Sequence, residues 1–311
     1  MKNETIDILL ASFNGASFIA DQLDSILTQD YEKIYVIVRD DLSTDGTTKI
    51  LETYVNKYPE KITRLPSEKR LGVRSNFSRL MEHSTADYIM FADQDDIWEK
   101  GKIRQTLDRM KELERNSSPN TPLLVHTDLK VVDSDLNLLS SSFWQYSGID
   151  PLNASTLNRL LMQNTVTGCT VMINRHLLIQ ASPIPEGCAM HDCWLALVAA
   201  ASGKIDSMPQ ATMLYRQHGK NALGAKKFLS IDYFKQGIAK IRSSDTAKQV
   251  QAKELLARYS NRLNENQKQM LLAFQELPHA SFVKKMSLIF KYQFFKSGFV
   301  RNAANIFLKK Y

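Results

Sequence analysis

Long apolar runs are missing from this 311-residue chain. The longest candidates, Ile6 to Ala11 and Trp194 to Ala201, have the lengths of a buried strand and a buried helix, well short of the ~18 residues a membrane-spanning helix needs. Nothing in the chain is expected to cross a bilayer. Cysteine is sparse as well. Cys169, Cys188 and Cys193 are odd in number and form no Cys-x-x-Cys pair, the pattern of free thiols in a reducing cytoplasm. The start, Met1-Lys2-Asn3-Glu4, has one lysine and an acid before a short run, which argues against secretion. With Gly at 12 and Pro at 9, the chain is neither collagen-like nor linker-rich, and 43% apolar residues suffice for a real core. Phosphate-loop signatures are absent too: no Gly-x-x-x-x-Gly-Lys and no Gly-x-Gly-x-x-Gly occurs, which demotes P-loop and dinucleotide-binding readings.

Charge is present but uneven. Residues 226–311 hold 17 Lys and Arg against 5 Asp and Glu, +12, while residues 1–225 carry −5. An acidic first part argues against a nucleic-acid module, whereas the basic, aromatic tail suits an anionic surface such as the inner membrane leaflet. The pattern changes near Gly224, which divides the chain into residues 1–224 and a helical region, 225–311. In that tail Leu288, Ile289, Phe290, Phe294, Phe295, Phe299, Ile306 and Phe307 alternate with lysines. Such helices either lie in a membrane interface or pack on the first part or on a second subunit in a homodimer.

The first part alternates strand, loop and helix. Ile6 to Leu10 reads as a buried parallel strand ending in Ala11-Ser12-Phe13-Asn14-Gly15, and a helix capped by Ser17 follows with Ile19, Leu23, Ile26 and Leu27 on one face. Ile34 to Val38 repeats the unit and closes on Arg39-Asp40-Asp41-Leu42-Ser43-Thr44-Asp45-Gly46. Tyr88 to Ala92 closes on Asp93-Gln94-Asp95-Asp96. Such alternation predicts an α/β fold with a mainly parallel sheet, whose ligands bind at the carboxyl ends of the strands. Leu123 to Val125 and Lys130 to Val132 read as further strands, as does Thr165 to Ile173, and Asp192 to Ala201 as a buried helix.

Three loops and two later motifs carry the chemistry. Carboxylates one residue apart in Asp93-Gln94-Asp95-Asp96 can face one cleft, where a divalent ion would join one of them to diphosphate oxygens. The run also reads as an acidic turn capping the next helix. Asp40-Asp41 can accept from a base or ribose, or simply shape a turn. The Ala11 to Gly15 loop offers small residues for close approach and a ring for stacking. His191-Asp192-Cys193-Trp194 gives a candidate general base, Asp192, with Trp194 as an apolar wall, or else a helix cap beside a core tryptophan. In Tyr215-Arg216-Gln217-His218, His218 is a candidate metal ligand and Arg216 a phosphate partner, unless the stretch is an ordinary surface loop. Cys188, His191 and Cys193 lack the second ligand pair of a zinc site.

Taken in order, Leu10-Ala11-Ser12-Phe13-Asn14, Asp40-Asp41-Leu42-Ser43-Thr44-Asp45-Gly46-Thr47, Asp93-Gln94-Asp95-Asp96-Ile97-Trp98, His191-Asp192-Cys193-Trp194 and Tyr215-Arg216-Gln217-His218-Gly219-x-Asn221 resemble family 2 glycosyltransferases of GT-A fold. The likeness spans about residues 5–221. Its details are most similar to bacterial rhamnosyltransferases that build cell-wall polysaccharide from dTDP-rhamnose. The resemblance implies that Ala11, Ser12, Phe13, Asp41, Arg74, Asp93 and Gln94 bind the nucleotide sugar, that Asp95 and His218 hold Mg²⁺ or Mn²⁺, and that Asp192 is the catalytic base. It further implies inverting transfer to a lipid-linked saccharide acceptor at the cytoplasmic membrane face. A UDP-hexose or UDP-HexNAc donor is the alternative within the class, and a non-catalytic nucleotide-sugar-binding protein docked on the membrane the alternative outside it. The Gln-x-x-Arg-Trp signature of processive synthases is absent, so a single transfer is implied.

Overall fold

The computed structural model describes residues 4–219, 225, 237–298 and 301–302, residues 237–245 by backbone alone. Gly224, Phe299, Ile306 and Phe307 lie outside the described residues. Strands β1 (Ile6–Ser12), β2 (Ile34–Asp40), β3 (Ile62–Arg64) and β4 (Tyr88–Asp93) alternate with helices α1 (Ile19–Leu27), α2 (Thr47–Lys57) and α3 (Val73–His83). Then follow β5 (Ile97–Trp98), α4 (Lys102–Arg115), β6 (Leu123–Val132), β7 (Leu138–Ser140) and the short helices α5 (Phe143–Ser147), α6 (Pro151–Ala154) and α7 (Leu157–Met162). A 3₁₀ turn, Gly168–Thr170, leads into β8 (Val171–Asn174), α8 (Arg175–Ala181), α9 (His191–Ser202) and β9 (Lys204–Arg216).

Among the described residues these strands form one nine-stranded sheet in the order β3-β2-β1-β4-β8-β6-β9-β5, with β7 beside β6. The parallel pattern expected from the sequence holds for β3, β2, β1 and β4. Beyond β4 the sheet becomes mixed, because β8 runs antiparallel to both β4 and β6. Three local expectations change. The two strands read around Val125 and Lys130 are one strand, β6, since Thr127 and Asp128 are buried within it. The β-branched stretch from Thr165 becomes extended strand only at Val171, after the 3₁₀ turn. Ser17 does not cap α1; the amides before that helix are held from the next loop, Gly15 N–H by Thr47 Oγ1 (2.8 Å) and Ala16 N–H by Asp45 Oδ2 (3.0 Å).

Both faces of the sheet are covered, which is why β1 is apolar at nearly every position. Ile6, Ile8 and Leu10 pack with α1 and α4 in one core, and Leu9 with Phe91, α3, α8 and α9 in the other. The polar exception, Asp7, is satisfied by Ser84 Oγ (2.7 Å) and the Thr85 and Ala86 amides. Helix α9 is apolar on almost all sides and accordingly buried. The second core does not end with the first part of the chain. The helices Gly237–Tyr259, Glu265–Glu276 and Phe282–Tyr292 add Leu255, Tyr259, Leu271, Phe274 and Ile289 to it, and Phe294 joins them just after the last helix. Asn158 Nδ2 donates to the Tyr292 and Gln293 carbonyls at 3.0 and 3.1 Å, and Tyr259 meets the ring of Trp194.

Candidate active site

Parallel register gathers the motif loops at one edge of the sheet. Ala11 is level with Asp93, and Ser12 with Asp40. The loop after β1 is then fastened on both sides. Gln94 clamps Phe13 by accepting from its amide (2.7 Å) and donating to its carbonyl (2.9 Å). Asn14 N–H donates to Ser43 Oγ (2.8 Å), and Thr44 N–H to Asn14 Oδ1 (2.9 Å). Gly15 is needed where it stands, because a Cβ there would lie 2.3 Å from the Gln94 amide oxygen. The Arg70 guanidinium lies 3.7 Å from the Phe13 ring centroid, a cation–π contact that no motif signals.

Asp40 and Asp41 divide the work of shaping the second loop. Asp40 accepts from Ser12 Oγ (2.9 Å) and Ser43 N–H (2.9 Å). Asp41 is buried, pairs with Arg39 (3.0 Å) and accepts from the Leu71 and Gly72 amides, each at 2.7 Å. Those two amides can converge on it because Gly72 adopts φ +77°, a conformation cheap only for glycine. Both oxygens of Asp41 thus already hold the segment that opens α3. Arg74, one turn later, donates to the Cys188 carbonyl (3.3 Å) and ties α3 to the loop that leads into α9.

The acidic run forms a cluster rather than a helix cap, with β5 standing between it and α4. Asp95 Oδ2 lies 2.8 Å from His218 Nε2, and His218 stacks on Phe18 with centroids 4.6 Å apart. Asp93, Asp96 and Cys169 bring ligand atoms within 4.8 Å of one another. Burial together with the negative charge of Asp95 and Asp192 pushes the Asp93 carboxyl up to about 7. Asp96 is raised by burial and by the negative charge of Asp95 and Asp93. Beneath it the fully buried Lys102 donates to Thr212 Oγ1 (3.1 Å), and burial lowers its ammonium to about 8. Such crowding of acids favours a bound cation. The donor sets differ in suitability. A carboxylate with an imidazole, Asp95 and His218, fits Mn²⁺ more readily than Mg²⁺, which prefers oxygen throughout. The Asp93, Asp96 and Cys169 set is poor for a hard ion, because burial and the adjacent acids keep the Cys169 thiol protonated.

Asp192 enters from the other core at the first turn of α9. It accepts from the Cys193 amide (2.7 Å) and from Asn164 Nδ2 (3.3 Å), yet burial still raises its carboxyl to about 6. Trp194 is not its apolar wall. That indole points into the core, donating to the Ala181 carbonyl at 2.9 Å. The neighbouring His191 is buried between Phe77 and Phe91, and burial depresses it to about 3. Gly168 lets the two elements meet: a Cβ there would lie 2.6 Å from His191 Nε2 and 3.6 Å from Asp192 Cβ. Arg216 reaches Asp21 at 2.9 Å and lies over Phe18, so it closes the wall behind His218. Sequence reasoning missed Arg70, Asn164, Gly168, Cys169 and Lys102, none of which stands in a motif with its partner.

Residues 7–121 match the family described as Glycosyl transferase family 2. The dTDP-rhamnosyl transferase RfbG of Shigella flexneri is 32% identical over 251 residues, covering 74% of this chain and 79% of that protein. Among solved structures, S. aureus TarS 1–349 in complex with UDP-GlcNAc superposes with TM-score 0.58 at 17% identity, over 93% of this chain and 80% of that one. The mannosyltransferase PcManGT from Pyrobaculum calidifontis in complex with GDP-Man and Mn²⁺ gives 0.55 at 15% identity, over 97% and 78%. The sheet with its strand-end loops, the clustered acids and the relative 32% identical over the aligned residues agree, and the chain belongs to glycosyl transferase family 2.

Proposed function

We propose that the protein transfers rhamnose from dTDP-rhamnose, with inversion, to a hydroxyl of a lipid-linked saccharide in the synthesis of a cell-wall or surface polysaccharide. The observation that carries the reading is the position of Asp192, a carboxyl raised to about 6 and close enough to Asp93 for their charges to interact. A base of that strength beside a cation-seeking acid cluster suits removal of a proton from an acceptor hydroxyl. The hydroxyl oxygen then attacks the anomeric carbon in line, and the carbon–oxygen bond to the nucleoside diphosphate breaks as the proton goes to Asp192. A divalent ion held by Asp95 and His218 would offset the charge on the departing diphosphate. In this reading Asp93 and the loop of Ala11, Ser12 and Phe13 flank the nucleotide. Asp41, Gln94 and Arg74 act in this reading by holding the loops that make its walls. Support for the rhamnosyl donor comes from RfbG, at 32% identity.

The test is nucleotide release from a panel of dTDP- and UDP-sugars, with and without Mn²⁺. The reading expects the greatest release from dTDP-rhamnose and its loss in EDTA. Preference for UDP-GlcNAc, the ligand in the TarS complex, would replace the donor. Absence of release from every sugar, together with tight binding of one, would make the chain a binding protein.

A further inference from the structure

Phe18 stands outside the five motifs, just before α1, yet it touches the residues that close and follow β9. The His218 imidazole lies over its ring with centroids 4.6 Å apart and planes 25° apart, and the Arg216 guanidinium lies 4.8 Å from the same centroid. That imidazole also reaches the acid cluster, where its Nε2 stands 2.8 Å from Asp95 Oδ2. His218 is therefore held at one face by an aromatic ring and at one nitrogen by a carboxylate.

Phe18 is itself fixed. Its amide donates to the Gly15 carbonyl (2.9 Å), and its carbonyl accepts from Gln22 N–H (3.2 Å) in the first turn of α1. Gly15 is the residue against which the Gln94 side chain packs, and Gln94 stands between Asp93 and Asp95. From the other direction the Arg216 guanidinium is anchored on α1 by Asp21 (2.9 Å), while the Arg216 amide donates to the Asp96 carboxylate (3.3 Å). The acid loop, the loop after β1 and the end of β9 thus form a closed circuit that runs from Gln94 through Gly15, Phe18 and His218 to Asp95. An imidazole binds a metal ion in the plane of its ring, so tilting the ring misdirects the nitrogen lone pair. A flat partner on the ring face fixes that plane, and an aliphatic side chain of similar bulk does not.

We propose that Phe18 is a positioning residue for metal binding: by stacking on His218 it sets the plane of the imidazole, and with it the preference of Asp95 and His218 for Mn²⁺ over Mg²⁺. The proposal rests on the reading of Asp95 and His218 as the pair that holds the ion. Mn²⁺ accepts an imidazole nitrogen readily, whereas Mg²⁺ keeps to carboxylates and water. Turning the ring out of its plane therefore costs Mn²⁺ affinity and leaves Mg²⁺ nearly untouched. A general loosening of the acid loop would weaken both ions alike.

The experiment measures Mn²⁺ binding to the full chain without nucleotide, from the electron paramagnetic resonance signal of free Mn²⁺, and Mg²⁺ binding by competition. F18L is expected to weaken Mn²⁺ binding about tenfold, the lower end of what a metal ligand loses with its orienting partner, and to leave Mg²⁺ binding nearly unchanged. F18M is expected to behave as F18L does, F18Y to keep both affinities, and all three to melt without metal as the unaltered protein does. In an H218Q background F18L is expected to have no further effect, because a residue that acts through His218 then has nothing to orient. Unchanged Mn²⁺ affinity in F18L and F18M, equal losses for the two ions, or a Mn²⁺ loss that persists in the H218Q background overturns the positioning role. The two readings fail distinguishably. Weaker Mn²⁺ binding in H218Q but not in F18L removes the positioning role alone, whereas unchanged Mn²⁺ binding in H218Q removes His218 from the metal site and the positioning role with it.

Discussion

At the scale of single residues, the decisive competition is at Asp192, where burial outweighs the hydrogen bonds from Cys193, Gly168 and Asn164 and leaves the carboxyl at about 6. A group so placed is ionised at neutral pH and still basic enough to accept a proton, which is the compromise general-base catalysis requires. At saturating donor and metal, transfer is therefore expected to fall about tenfold per pH unit below pH 6. Asp192→Asn should lower transfer by ~10²-fold or more and leave donor binding nearly intact. Loss of donor affinity on calorimetry would instead make Asp192 a ligand or a cap. Asp95→Asn should abolish metal-dependent turnover, and full activity of the unaltered enzyme in EDTA would remove the metal role. Of the partners of Asp192, Cys193 stands beside it in the motif, but Asn164 could not be read from it. Asn164 lies 28 residues upstream, and only the packing of α7 against α9 brings it there.

Elements explain why the five motifs converge and why their supports were hidden. Strand periodicity and the positions of Ser12, Asp41, Asp93 and Asp95 at strand ends were legible because parallel strands between helices are continuous apolar runs, and loops follow them directly. What stayed illegible were tertiary choices: Trp194 turned to the C-terminal helices, His191 wedged between Phe77 and Phe91, and Lys102 buried under Asp96. Gly168 is the clearest instance, since nothing local marks a 3₁₀ turn whose missing side chain makes room for His191. Gly168→Ala should displace His191 and with it the start of α9, cutting transfer more than donor binding. The strand-end acids also predict a pH-dependent metal effect. Asp93 and Asp192 hold protons up to about 7 and 6 in the folded state, above their unfolded value near 3.8. They therefore cost stability as pH rises through 4 to 7. His126 and His191, lowered to about 3 from 6.5, act the other way, giving up stability as pH falls below 6.5. The melting temperature without metal is thus a poor reporter, but the increment from Mn²⁺ is not, because an ion at Asp95 and His218 is favoured by the negative charge of Asp93 beside it once that carboxyl is ionised. That increment should be larger at pH 8 than at pH 5, and equal increments would argue that the ion does not bind among these carboxylates.

For the whole molecule, the question is what the basic C-terminal helices do once they are seen to share a core with the sheet. Ile289 and Phe294 are 1% and 0% exposed, and Lys285 is buried too. Burying each such apolar side chain is worth ~1.5–3 kcal/mol, against a total stability of ~5–15 kcal/mol. Ending the chain near Ser281 would therefore remove a large part of what holds the fold, and cannot isolate membrane binding. The outward face can be tested directly instead. Phe282, Val283 and Phe290 are 60%, 78% and 61% exposed on the helix Phe282–Tyr292, alongside Lys284 and Lys291. No helix among the described residues is long and apolar enough to span a bilayer. An interfacial face of this kind would add apolar burial to attraction for anionic lipid, about 1 kcal/mol for each basic residue near the surface. The full chain is expected to sediment with phosphatidylglycerol-containing vesicles at low salt and to be released as added salt shortens the Debye length toward ~3 Å at 1 M. F282S/V283S/F290S should lose sedimentation and transfer to a lipid-linked acceptor while keeping the melting temperature and donor hydrolysis. Sedimentation unchanged by the triple substitution would move the membrane contact elsewhere, and concentration-dependent dimers that dissociate in the variant would identify the same face as the interface between two copies of the chain.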